Sequence, residues 1–216
     1  MSAATAIRIA HPRVAATTRI AWLFMIGSAC FAIASVPGYA ELSDRASAIT
    51  YAIGSVFFTA AAFEQLRTSE RHWLDRWSAL VQFAGTILFN VNTFIAVDEH
   101  LDPHAQDVLV WTPDAIGSAC FLVASGLAWY AVKAERGERR TRKIADLNLW
   151  GSVAFGVSAV ASYVVDDTGE FVNATIASFG TFVGAICFFV AAWMLRPQSS
   201  GAKRSTPLPS GSSTTA

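Results

Sequence analysis

Six stretches of this 216-residue chain run apolar, with almost no charge, for about 18–25 residues each, the length a helix needs to cross a bilayer core. They lie near 20–38, 46–63, 77–97, 114–132, 146–165 and 171–195. A core helix of a soluble protein rarely stays apolar all round for so long. The composition agrees: 53% of residues are hydrophobic and 15% charged. A soluble domain normally carries about a quarter charged residues. Net charge is zero, so no global field points to nucleic acid as a partner. The expected class is an all-α integral membrane protein of six transmembrane helices, with the lipid bilayer as its solvent. Residues 1–19 are expected to form a cytoplasmic segment, 20–195 the membrane domain and 196–216 a disordered cytoplasmic tail. That tail is rich in Ser, Thr, Pro and Gly and cannot bury a core.

Lysine and arginine in short loops set the orientation of such a chain. Arg8, Arg13 and Arg19 precede the first span; Arg67, Arg71 and Arg76 follow the second. Lys133, Arg136, Arg139, Arg140, Arg142 and Lys143 follow the fourth, and Arg196, Lys203 and Arg204 follow the sixth. With six spans, fifteen of the sixteen basic residues fall on one side, and only Arg45 on the other. Glu41, Asp44, Asp98, Glu99, Asp102, Asp107, Asp166, Asp167 and Glu170 occupy that other side. Both termini are therefore expected in the cytoplasm, and the protein in the inner membrane. Gly38-Tyr39-Ala40, after the first apolar run, fits a signal-peptidase site. Against cleavage, the first span carries a phrase that recurs later in the chain.

That phrase is Ile-Gly-Ser-Ala-Cys-Phe, found at 26–31 and again at 116–121. Every span holds a variant: a glycine, a small residue, two others, then phenylalanine. The glycines are Gly27, Gly54, Gly85, Gly117, Gly151 and Gly184, and each shares a helical face with the phenylalanine four residues on. Small residues let helices approach closely in lipid, so these glycines, with Gly180, are read as packing positions. Gly180 and Gly184 form a GxxxG pair whose default role is packing within the monomer; a homodimer through the sixth helix is the alternative. The best matches join the first span to the fourth, the second to the fifth and the third to the sixth. A duplicated three-span unit explains that order. It predicts a 3+3 inverted repeat with halves 20–97 and 114–195. Repeated use of one packing motif would mimic part of it.

Candidate sites are sparse. Gln82, Thr86, Asn90 and Thr93 follow helical spacing on the third span. They read as hydrogen-bonding glue between helices or, alternatively, as the lining of a polar path for a small solute. Asn92 points away from that stripe and reads as a local helix contact. Asp98, His100, Asp102 and His104 alternate acid and imidazole and are the only metal-ligand candidates, against the simpler reading of a hydrated acidic loop. Thr112-Pro113-Asp114 resembles a helix start, with proline at the first helical position. Cys30, Cys120 and Cys187 each follow a motif glycine by three residues and read as packing residues; no cofactor is implied. No charged residue falls near a span centre and no nucleophile–base pair is evident, so an enzyme is not expected.

At "WTPDAIGSACFLVASGLAW", "ALVQFAGTILFNVNTF" and "FGTFVGAICFFVAAWML" the chain resembles bacterial multi-pass proteins of the YrhK-like type, over most of residues 20–195. The resemblance implies a bacterial inner-membrane protein and brings no established activity to particular residues. The expected role is structural or accessory; the alternative is a small-solute transporter or channel along the third helix.

Overall fold

The computed structural model describes residues 3–69, 73–97, 101–165 and 168–197. It is built of helices α1 (Ala3–Ala34), α2 (Pro37–Leu42), α3 (Asp44–Thr68), α4 (Trp73–Ile95), α5 (Pro103–Gln106), α6 (Thr112–Ala134), α7 (Arg139–Ala161) and α8 (Ala174–Leu195). Asp107–Trp111 form a π-helical turn between α5 and α6. A short antiparallel hairpin, β1 (Val164–Val165) and β2 (Glu170–Phe171), joins α7 to α8. Six helical segments are long and apolar enough to cross a membrane, the protein being of the multi-pass type: Val14–Ala34, Asp44–Thr68, Trp73–Ile95, Pro103–Ala134, Arg139–Ala161 and Ala174–Leu195.

The fourth segment begins eleven residues earlier than the hydropathy boundary at 114. Thr112-Pro113-Asp114 does not start it. The cap lies at Asp102, whose carboxylate accepts from the Ala105 backbone N–H at 2.8 Å, with Pro103 in the first helical turn. Both Asp-Pro and Thr-Pro carry the start signal, and the chain uses the first. Proline at 113 is tolerated inside the continuous helix because the π turn before it has already displaced the backbone hydrogen-bond register.

The membrane segments form a closed ring in chain order: each packs on its two neighbours in sequence, and α8 closes on α1. Packing is closest within three antiparallel hairpins, α1–α3, α4–α6 and α7–α8, and looser between them. Each hairpin is built on a close approach between two motif glycines. A Cβ added at Gly27 would lie 2.9 Å from the Gly54 carbonyl oxygen; at Gly117, 3.2 Å from that of Gly85; at Gly184, 3.0 Å from that of Gly151. On the other strand of each pair the glycine receives the partner's cysteine. Added Cβ atoms at Gly54, Gly85 and Gly151 would come within 2.9, 2.9 and 3.1 Å of Cβ of Cys30, Cys120 and Cys187. The repeated Gly-x-x-Cys spacing is thus a knob and a hole one helical turn apart.

This ring does not admit the 3+3 inverted repeat. Inverted halves are related by a half-turn about an axis in the membrane plane. That rotation reverses the direction in which helices follow one another around a ring. Here the fourth to sixth segments continue the direction of the first three, so no rotation superposes the halves in chain order. The repeat unit in space is the two-helix hairpin, used three times around an axis along the bundle.

The six motif phenylalanines meet on that axis as two stacked triangles. Phe31, Phe89 and Phe155 contact one another with ring centroids 6.2, 6.1 and 6.0 Å apart. Phe58, Phe121 and Phe188 do the same at 6.2, 6.1 and 5.8 Å. Within each hairpin the triangles touch through Phe31–Phe58, Phe89–Phe121 and Phe155–Phe188, at 5.3, 5.0 and 5.5 Å. All six rings are buried. The residue after each glycine is buried too: Ser28, Ser55, Thr86, Ser118, Ser152 and Ala185. Large aliphatic side chains such as Ile53, Val56, Ile87, Val123, Val157 and Ile186 face outward instead. Such an interior of small residues and rings, under an aliphatic coat, is what lipid selects, since tails compete equally for aliphatic surface.

Candidate functional site

The phenylalanine triangles separate two cavities, one at the acidic end of the bundle and one at the basic end. The cavity at the acidic end has a volume of about 330 Å³ and rests on Phe31, Phe89 and Phe155. Its walls repeat by hairpin. One helical turn beyond each of those rings stand Ala34, Asn92 and Ser158. Facing them, one turn before the glycine of the returning helix, stand Tyr51, Asp114 and Thr181. One more turn out come Ser47, Val110 and Ala177.

Equivalent places therefore carry different chemistry. In the α7–α8 hairpin, Ser158 and Thr181 share a hydrogen bond of 2.7 Å. In α4–α6 the corresponding pair is Asn92 and Asp114, whose carboxylate accepts from Asn92 Nδ2 at 2.9 Å. In α1–α3 it is Ala34 and Tyr51, and Ser47 donates to the Ala34 carbonyl at 3.0 Å. Asn92 is thus not a local contact on its own helix; it reaches across the hairpin. Its Oδ1 and the Ser28 hydroxyl are the buried side-chain polar atoms without a partner among the described residues.

The cavity is roofed in part by the π turn and the β hairpin, through Gln106, Val110, Trp111, Val164 and Phe171. Trp111 Nε1 donates to the Ala159 carbonyl at 2.7 Å, and its ring lies edge-on to Tyr163 with centroids 4.9 Å apart. Thr112 Oγ1 donates to the Asp107 carbonyl, 2.8 Å away and five residues back, while Asp107 Oδ1 accepts from the Val164 N–H at 3.2 Å. The inserted residue of the π turn thereby aims Trp111 at the end of α7. The turn was not legible in the sequence.

The third-span stripe does not line one continuous path. Thr93 borders the cavity at the acidic end, and Gln82 borders a cavity of about 300 Å³ at the basic end, with Gln65, Asn148, Phe24 and Phe188. Between them, Thr86 and Asn90 belong to the α3–α4 seam. Asn90 donates to Thr59 Oγ1 and accepts from Ser55 Oγ at 2.8 Å, and Thr59 donates to the Thr86 carbonyl at 3.2 Å. Ser55 and Thr93 share a further bond of 2.9 Å. These are the interhelical hydrogen bonds that polar residues form in a bundle.

Asp98 and His100 lie outside the described residues. Asp102 is spent as the α5 cap, and His104 is exposed on α5. Gly180 and Gly184 face α7: added Cβ atoms would meet the Ala154 carbonyl at 2.9 Å and the Phe155 ring at 2.9 Å. That glycine face is occupied within the monomer, so it offers no surface to a second copy. At the basic end, Glu64 pairs with Arg19 and Arg67, each at 3.4 Å, tying α1 to α3. Arg140 caps α8 through the Met194 and Arg196 carbonyls at 2.8 and 2.9 Å.

The chain matches no family model, no curated protein and no solved structure.

Proposed function

We propose that this multi-pass protein is a structural or accessory component of a bacterial inner membrane, closed to solute flow. The single supporting observation is the pair of phenylalanine triangles across the bundle axis, with close ring contacts within and between them. A conducting pore needs a polar or wettable axis; here the axis is packed aromatic carbon, and Thr86 and Asn90 of the third-span stripe are bonded in the α3–α4 seam. The Gly-Ser-x-x-Phe spans, which resemble those of YrhK-like proteins, support the bacterial inner membrane as location. The bias of basic residues supports cytoplasmic termini, with the Asp114 cavity on the outer side.

Proteoliposome swelling with glycerol and urea tests the closed axis. The intact protein is expected to match empty liposomes, and protein-dependent flux of either solute would overturn the reading. The two cavities stacked on either side of the triangles favour a second reading, a carrier seen in its closed state; the same assay, run with a gradient of solute, decides between them. Reporter fusions test orientation: joined after Arg136 or at the C-terminus they should report cytoplasm, and after Val172 the outside.

A further inference from the structure

We propose that the cavity at the acidic end is a binding site for a small organic cation, a primary ammonium group on a short apolar chain, held by Asp114 and Asn92 above the Phe31–Phe89–Phe155 floor.

Three independent observations carry this. The first is an unmet acceptor. Asn92 lines the cavity and is 5% exposed; its Nδ2 is committed to Asp114 at 2.9 Å, and its Oδ1 has no partner among the described residues. A buried carbonyl oxygen left unpaired is destabilising, and a donor that reached it would supply what it lacks. The second is the comparison among hairpins. Ser158–Thr181 and Ala34–Tyr51 hold the same positions without a charge, so the fold does not require a carboxylate there. The Asn–Asp pair is the one place where the threefold pattern puts a carboxylate, which is half-buried. The third is the sign and texture of the walls. Asp114 and Asp44 border the cavity and no Lys, Arg or His does; Arg45 and His104, at the same end, are not among its lining residues.

The floor and walls decide what kind of cation fits. Phe31, Phe89, Phe155, Tyr51 and Trp111 offer ring faces and edges, and aromatic faces attract cations. Calcium and magnesium take six or more oxygen ligands and zinc four from Cys, His or carboxylate; the described residues hold no group of three such side chains. An ammonium has three N–H donors, and the Asp114 carboxylate and the Asn92 amide stand together on the α4–α6 side of the cavity. Its volume, about 330 Å³, is at the small end of ligand pockets. Asp44 is exposed while lining the cavity, so the space reaches the protein surface.

The test is calorimetric titration of the full chain in lipid nanodiscs with three probes of one shape: n-butylammonium, n-butanol and n-butyrate. Empty nanodiscs correct for partitioning. Saturable binding of butylammonium, at least tenfold tighter than butanol and with no binding of butyrate, is expected. Absence of saturable butylammonium binding, or equal binding of butanol, would overturn the proposal. The double substitution Asn92→Ser with Asp114→Thr installs the pair that α7–α8 already uses. It should fold, keep its melting midpoint within a few degrees, and lose butylammonium affinity at least tenfold. A folded double variant that binds as well as the parent would sink the assignment to this pair. If the variant does not fold, the three-probe comparison on the parent protein still decides.

Discussion

At the scale of single residues, the motif glycines act through what they leave out. A Cβ at Gly85 would lie 2.9 Å from Cys120 Cβ and 3.1 Å from the Gly117 carbonyl oxygen, and neither can retreat without moving a helix. Overpacking of this kind costs about 1–3 kcal/mol. Gly85→Val should therefore lower the thermal midpoint of the detergent-solubilised protein clearly. Gly156 has nothing within 4 Å of the added atom, so Gly156→Ala should leave the midpoint unchanged or raise it slightly. The same scan on both variants checks this, and equal effects would mean that close approach is not what the glycines provide. Asn92 and Asp114 show the opposite limit of a residue-level reading. Each is ordinary in its local sequence, and only their meeting across the α4–α6 hairpin gives them a shared chemistry.

At the scale of elements, the segment from Pro103 to Ala134 carries most of the information that hydropathy missed. Its start is set by Asp102 and Pro103, its register is shifted by the π turn at Asp107–Trp111, and only then does the apolar run begin. The shift places Trp111 Nε1 on the Ala159 carbonyl, one of the last-turn carbonyls of α7. Trp111→Phe keeps a ring beside Tyr163 and removes the donor. It should destabilise by about 1 kcal/mol and speed amide exchange at the end of α7, leaving exchange in α3 untouched. Uniform acceleration across all helices would show instead that the side chain supports the whole bundle. A long apolar stretch marks where lipid is, but the helix continues wherever capping and backbone hydrogen bonds allow, so hydropathy alone misplaced this end.

At the scale of the whole molecule, the closed ring sets the stability order of the phenylalanines. Phe121 touches rings from both triangles and is almost fully buried. Truncating a buried phenylalanine costs about 3–5 kcal/mol through lost contacts and the cavity left behind. Phe179, on α8, is 67% exposed on the bundle's outer surface. Phe121→Ala should thus lower the melting midpoint far more than Phe179→Ala in the same detergent, and similar losses would argue that the triangles are not the structural centre.

The sequence by itself determined the six membrane-crossing helices, the sorting of basic residues between loops, and the recurrence of glycine and phenylalanine one turn apart. These follow from single-chain rules: the thickness of the bilayer and the helical period. Only the tertiary structure decided how the repeats combine. Pairwise resemblance between spans suggested two inverted halves, whereas the ring selects three hairpins, because the close contacts between glycine backbones are made within α1–α3, α4–α6 and α7–α8. It also decided that Thr86 and Asn90 are interhelical bonds, that Gln82 and Thr93 face different cavities, and that Asn92 meets Asp114. Which face of a membrane helix meets protein and which meets lipid depends on its neighbours, and spacing along one helix does not encode them.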